Sequence, residues 1–294
     1  MLTSLLSFYI AANLSQDIGN PISNPADTPF LNKVTEQSAK PVKNPFNISP
    51  VISAKGVISM DMESEEILYG KNIHARMPIA SITKLMTILI ILEENKLDEV
   101  VTVSNNAAST TGSRMHLHAG ERITIENLLY GAIIHSANDA AVALAEHNAG
   151  NVSKFVQKMN KKAAELGLVN TRFQNPIGWD DPLNYSSPFD VARLSKIVYQ
   201  KDFVQKSASV KNMVVRSVGG GYTHRLESTN DLLNSYLNIK GLKTGRTSAA
   251  GLCLAAIAKN DEGKEIITII LNSHARFQET KILVDWSFRA YNWY

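Results

Sequence analysis

From Ile82 to Leu92 nearly every position is apolar, so a helix here is greasy around its whole circumference and belongs in the middle of a core. Lys84 interrupts it. A lysine is almost never fully buried alone, and desolvation favours its neutral form, so this one is either paired with an anion or poised as a base. Pro78 introduces the helix and Glu93-Glu94-Asn95-Lys96 ends it. Helical periods recur over Thr124 to His135, with Thr124 as cap, and over Asp139 to Asn148, stopped by Gly150. Two more follow, over Ser153 to Leu166, closed by Gly167, and after Ser187-Pro188-Phe189-Asp190, where serine caps and proline sits in the first turn. Strand patterns frame these helices. Lys55 to Met62 and Glu65 to Tyr69 predict a hairpin turning at Glu63-Ser64, Val100 to Val103 is a short extended piece, and Met213 to Val218 and Tyr222 to Leu226 flank Gly219-Gly220-Gly221. Near the end, Ile239 to Arg246, Gly251 to Lys259 and Ile266 to Asn272 predict three strands on tight turns, and Ala275 to Tyr294 a closing amphipathic helix. Two strands at the start, three at the end and helices between predict an α+β fold: an antiparallel sheet whose first and last parts meet, with a helical lobe inserted.

The first fifty residues read differently. Met1 to Leu14 is moderately apolar but too short to span a bilayer, and it has no basic start, since the first Lys or Arg is Lys33. Ser15 to Pro50 is rich in Asn, Pro and Ser and predicts an extended linker. The expected organisation is a signal or anchor remnant over 1–14, a linker over 15–50 and a globular domain over 51–294, the plan of an exported, membrane-tethered protein. A net charge of +3 on scattered lysines marks no nucleic-acid face. The single cysteine, Cys253, falls in an apolar strand and reads as core packing, with no intramolecular disulfide to make.

Candidate chemistry starts at Ser81, three residues before Lys84. That spacing stacks hydroxyl and amine on one helix face, in a first turn whose free N–H groups favour negative charge, so the pair reads as a nucleophile beside its base. A plain helix cap is the competing explanation. Ser136-Ala137-Asn138 breaks the chain between two buried helices, where Asn138 could simply cap; Ser-x-Asn also occurs at Ser104 and Ser228, so the tripeptide decides nothing alone. Asn175 to Pro182 is long and irregular enough to be a functional loop. Lys243-Thr244-Gly245-Arg246-Thr247 puts a glycine inside a strand, which permits close approach to the backbone. His116 and His118 share one side of an extended piece but lack a third ligand, so they read as surface residues and no metal site is expected.

Ser-x-x-Lys, Ser-x-Asn and Lys-Thr-Gly in this order form the set shared by β-lactamases and penicillin-binding proteins. From about Val51 to its end the chain resembles the low-molecular-mass penicillin-binding proteins, the serine-type D-Ala-D-Ala carboxypeptidases. Further carriers of the likeness are Gly131 to Ala141, Asn175-Pro176-Ile177-Gly178 and Gly241 to Gly251. The resemblance implies the penicillin-recognising serine hydrolase (β-lactamase-like) fold, a five-stranded antiparallel sheet with helices on both faces. It implies Ser81 as nucleophile, Lys84 as its base, Ser136 as proton relay, Asn138 as a holder of Lys84 and the substrate amide, and Lys243 as a positive charge. The Ser81 and Arg246 N–H groups would form the oxyanion hole beside Gly245, and Thr244, Thr247 and Arg276 would bind the substrate carboxylate. It further implies peptidoglycan stem peptides as substrate, β-lactams as covalent inhibitors, an extracytoplasmic location, a monomer and no cofactor. A D,D-endopeptidase is the alternative. A β-lactamase would need a glutamate for deacylation, and Glu165 and Asn170 are spaced one residue too far apart; a catalytically silent scaffold should have lost Ser81, Lys84 or Lys243.

Overall fold

The computed structural model describes residues 40–294; the expectations for Met1 to Leu14, and for the linker up to residue 39, fall outside it. The described chain opens with a short strand, β1 (Val42–Lys43), and the predicted hairpin, β2 (Gly56–Asp61) and β3 (Ile67–Lys71), turned by Asp61 accepting from the Ser64 backbone. A single 3₁₀ turn, Ala80–Thr83, then leads into α1 (Lys84–Glu94). β4 (Val100–Thr102), α2 (Asn105–Ser109) and β5 (Arg122–Thr124) precede α3 (Ile125–Ile134), whose cap is Thr124 as expected. The lobe continues through α4 (Asn138–Ala149), α5 (Val152–Glu165), α6 (Pro188–Tyr199), capped by Ser187, and α7 (Asp202–Ala208). A separate hairpin, β6 (Asn212–Arg216) and β7 (Thr223–Glu227), leads to β8 (Ile239–Thr247), β9 (Gly251–Lys259), β10 (Glu265–Ser273), α8 (Arg276–Ala290) and β11 (Tyr291–Asn292).

Five strands pair antiparallel in the order β3-β2-β10-β9-β8, which joins the first and last parts of the chain and leaves β8 at an edge. Strand alternation divides the sheet's two faces. Ile58, Met60, Ala255, Ile257, Ile267 and Ile269 pack in one core with α1 and α6, while Leu254, Ala256, Ala258 and Ile266 face Val284 of α8, and Val57 and Ile270 face its Leu283 and Trp286. α1 is buried from Lys84 to Ile91, as a helix apolar on every side requires.

Some boundaries differ from the sequence expectation. Ser81 sits in the 3₁₀ turn, not in the α-helix proper, because Ala80 takes a left-handed conformation at φ 48° and the regular helix starts only at Lys84. The last helix stops at Ala290, and Tyr291–Asn292 pair with Val42–Lys43, so the end of the expected linker is a pinned arm. Met115 and Leu117 are buried and His116 and His118 exposed, as their alternation predicts, but His116 at φ 64° makes this a loop and not a strand. Cys253 is buried in β9, where desolvation pushes its thiol up to about 11. Among the described residues no helix is long and apolar enough to cross a membrane, and no cluster of His, Cys, Asp and Glu could hold a metal.

Candidate active site

The 3₁₀ turn and the first turn of α1 bring Ser81 Oγ to 2.9 Å from Lys84 Nζ. Lys84 is wholly buried, and its side-chain nitrogen has two further neighbours: Asn138 Oδ1 at 2.7 Å and the Ile177 carbonyl at 3.0 Å. Asn138 Nδ2 donates to the Thr111 carbonyl at 2.8 Å, which fixes the amide so that its oxygen faces the lysine. Both of these neighbours can only accept. A neutral amine has two N–H bonds and one lone pair; with the two N–H groups given to Asn138 and Ile177, the lone pair faces the Ser81 hydroxyl. Burial pushes Lys84 well below the ordinary lysine range, the charge on Lys243 pushes it further, and Asp139 opposes both.

Asn138 is therefore a tertiary link and not a cap: the N-cap of α4 is Ala137, which has no side chain to offer. Its placement depends on Asp139, a fully buried carboxylate that accepts from Met115 N, Leu117 N and Ala140 N at 3.1, 3.0 and 2.9 Å. Those bonds hold the 111–117 loop, whose Ser113 carbonyl accepts from Asn138 N at 2.7 Å. Ser136 is buried in a left-handed conformation at φ 58°, and its hydroxyl has no hydrogen bond among the described residues. The 175–184 loop is tied down in the same way. Asn175 Oδ1 accepts from the backbone of residues 177, 178 and 179, and Thr87 Oγ1 donates to the Pro176 carbonyl at 2.7 Å, which aims Ile177 O at Lys84.

On the other side, β8 runs past Ser81 as the sheet edge. Gly245 makes the approach feasible, since a Cβ there would stand 3.0 Å from Ala80 Cβ and 3.1 Å from Ser81 N. Lys243 is buried, donates to the Thr244 carbonyl at 3.0 Å, and is lowered to about 7 by burial and then by the charge of Arg276. Arg276, at the start of α8, donates to the Gly245 carbonyl at 2.8 Å, so it is neither a surface charge nor wholly free for a ligand. Thr244 Oγ1 shares a hydrogen bond with Thr229 Oγ1 at 2.6 Å, Thr247 Oγ1 accepts from Ala250 N, and the Arg246 side chain is exposed. The structure thus brings Ser81, Lys84 and Asn138 together beside the Lys243 strand. Sequence reasoning missed Asp139, Thr229 and the Ile177 carbonyl, although Asp139 and Ile177 lie inside segments already singled out. Glu165 is on the lobe surface, paired with Lys161 and Lys162.

Comparison with known proteins identifies the family of the chain. A profile of the D-alanyl-D-alanine carboxypeptidase family matches residues 42–275. The D-alanyl-D-alanine carboxypeptidase DacF of Bacillus subtilis is 36% identical over 245 residues, 81% of this chain and 63% of its own length, and DacC of Escherichia coli is 33% identical over 83% of this chain and again 63% of its own length. The chain thus spans somewhat under two thirds of these relatives. The solved Streptomyces K15 DD-transpeptidase is 30% identical, with a TM-score of 0.78 over 82% of this chain and 99% of that one. Penicillin binding protein 5 of Haemophilus influenzae is 33% identical with a TM-score of 0.75, over 82% of this chain and 72% of its own. The sequence likeness runs from the first strand to the start of the last helix, and the chain belongs to the D-alanyl-D-alanine carboxypeptidase family.

Proposed function

We propose that the protein is a serine D,D-carboxypeptidase that removes the terminal D-alanine from peptidoglycan stem peptides outside the cytoplasm and is acylated by β-lactams. The observation that carries this reading is the Lys84 amine, dry and held by two acceptors with Ser81 Oγ as its third neighbour at 2.9 Å. Lys84 takes the Ser81 proton as Oγ attacks the carbonyl between the two D-alanines. The oxyanion is met by the Ser81 and Arg246 N–H groups, each such donor typically contributing about 3 kcal/mol to lowering the barrier. Ser136, whose hydroxyl has no protein partner among the described residues, relays the Ser81 proton from Lys84 to the departing D-alanine amine, so Ser136 keeps its hydroxyl and Lys84 is neutral again. Water then attacks the ester, giving its proton to neutral Lys84, which passes it to Ser81 Oγ as the ester C–O bond breaks, so that Ser81 leaves as the hydroxyl and Lys84 is neutral once more. Lys243, Thr244 and Thr247 receive the substrate carboxylate along the edge of β8, and Arg276 adds charge behind it.

The test is incubation with a fluorescent penicillin, a stem pentapeptide and a cross-linked peptide dimer. Lasting label on Ser81 with release of D-alanine supports the carboxypeptidase. Cleavage of the dimer would favour the endopeptidase, rapid antibiotic turnover a β-lactamase, and no label a silent scaffold. Ser81→Ala should abolish labelling and leave Tm nearly unchanged, because the 3₁₀ turn has no side-chain cap to lose; a large fall in Tm would make Ser81 a structural residue instead.

Lys243 has a pH signature. Its positive charge is one of the causes that hold Lys84 down. Lys243→Gln removes that charge, so Lys84 binds its proton more readily and the acid limb of the acylation rate moves to higher pH, whatever happens to the maximal rate. Acylation by a chromogenic β-lactam measured against pH checks this; a limb that stays in place or moves to lower pH contradicts the coupling.

A further inference from the structure

The arm between Lys40 and Lys55 is fixed in its backbone and inverted in its side chains. Its course is held by β1 on β11, by Asn44 N donating to Ala290 O at 2.8 Å, by Trp286 Nε1 donating to Ile48 O at 2.8 Å and by Tyr69 OH donating to Pro50 O at 3.3 Å. Yet Phe46, Ile48 and Val51 are 90%, 91% and 97% exposed, so three large apolar side chains on six residues stand in water while their own backbone is bound to the protein. Single exposed apolar residues are ordinary; a cluster on an ordered segment marks a contact surface. The cluster continues onto α8. Exposed Tyr236 and Ile282 line a cavity of about 420 Å³ with Pro50, Trp286, Lys281 and Arg289.

Charge identifies what this surface meets. Residues 40–55 hold Lys40, Lys43 and Lys55 and no Asp or Glu, and Lys281 and Arg289 add to the same side. The acids nearby are Glu66, paired with Lys40 at 3.0 Å, Asp285, paired with Arg289, and Glu279, which is buried beneath the arm and accepts from Ser53 N and Ala54 N; Lys43, Lys55 and Lys281 have no ion-pair partner among the described residues. Exposed apolar side chains rimmed by lysines that no carboxylate pairs are the pattern of a protein surface lying in the headgroup region of an anionic bilayer. Residues 1–39, with the apolar Met1 to Leu14, join the body at this same arm. We propose that the arm and the outer side of α8 form an interfacial surface that docks on anionic lipid, inserting Phe46, Ile48 and Val51. α8 packs on the sheet face opposite α1, so Ser81 and the β8 edge stay uncovered while the body is docked.

The full chain, wild type and a Phe46→Ser, Ile48→Ser, Val51→Ser variant, is floated with phosphatidylglycerol/phosphatidylcholine vesicles and with phosphatidylcholine alone. Wild type should bind the anionic vesicles more strongly, and the variant should lose about tenfold or more in partitioning. Penicillin labelling of Ser81 should be equal in both, which reports an intact fold and is independent of the lipid result. Because residues 1–14 could anchor by themselves, Phe46→Trp is also placed on vesicles carrying brominated acyl chains, and quenching beyond that of the wild-type tryptophans is expected. Equal partitioning of the variant together with an unquenched Trp at position 46 overturns the proposal. So does a dimer in sedimentation that the triple variant abolishes, since a second copy would then own the surface.

Discussion

Lys84→Arg should reduce the rate of β-lactam acylation by about a thousandfold or more, within the range that a positioned general base contributes. The substitution keeps a positive charge and hydrogen-bond donors near Asn138 Oδ1 and Ile177 O, so it separates being a cation from being able to lose a proton. Arginine cannot give up its proton at any pH a protein survives. Lysine here can, because burial and Lys243 both disfavour its charged form. Lys84→Met supplies the second measurement. It removes the amine with little change in volume and leaves two buried carbonyl oxygens without a donor, at a cost of about 1–3 kcal/mol each. Both variants should label slowly, and Lys84→Met should also melt lower. If Lys84→Arg labels at a wild-type rate with circular dichroism unchanged, the amine is not the base and Ser81 is activated by something else.

Much of this site was legible because its chemistry conflicts with its surroundings. A cation in an all-apolar run has to be explained, and Ser81 at the right spacing supplies the explanation from the sequence. The sheet was legible for the opposite reason: β2, β9 and β10 are mostly apolar runs between turn signals, whose residues chiefly pack. Contacts made by backbone atoms were not legible. Ile177 enters the site through its carbonyl, which every residue has, so no side-chain pattern points to it. Asn138 was equally open to reading as a cap, since the residue types that cap helices also make tertiary hydrogen bonds. The arm over 40–54 was missed because its composition is that of a linker. Its order comes from β11, Trp286 and Tyr69, which are far away in sequence.

Gly178→Ala is the substitution expected to show how much the catalytic pair depends on that unseen backbone. Gly178 has φ +88°, and a Cβ there would lie 1.8 Å from the Ala80 carbonyl oxygen and 2.9 Å from Ser81 N. Neither atom can rotate away as a side chain would, so the 175–178 loop or the 3₁₀ turn must shift. The left-handed conformation costs an alanine about 1 kcal/mol, and forcing atoms into a filled contact typically adds about 1–3 kcal/mol. For a domain of this size the sum corresponds to a fall in Tm of roughly 5–15 °C. The shift also carries Ile177 O away from Lys84, freeing an N–H to turn toward Ser81 where the lone pair should be, and a displacement of about 1 Å at a reacting group can cost about a hundredfold in rate. Gly120→Ala separates the two causes. Gly120 has a similar φ of +80° with nothing within 4 Å of its Cβ position, so it carries the conformational strain alone. That variant should lose only about 1 kcal/mol of stability and acylate normally. Equal acylation rates for the two alanine variants would mean that the contact between residue 178 and the Ala80-Ser81 backbone does not position the lysine, and the loop would then be packing and nothing more.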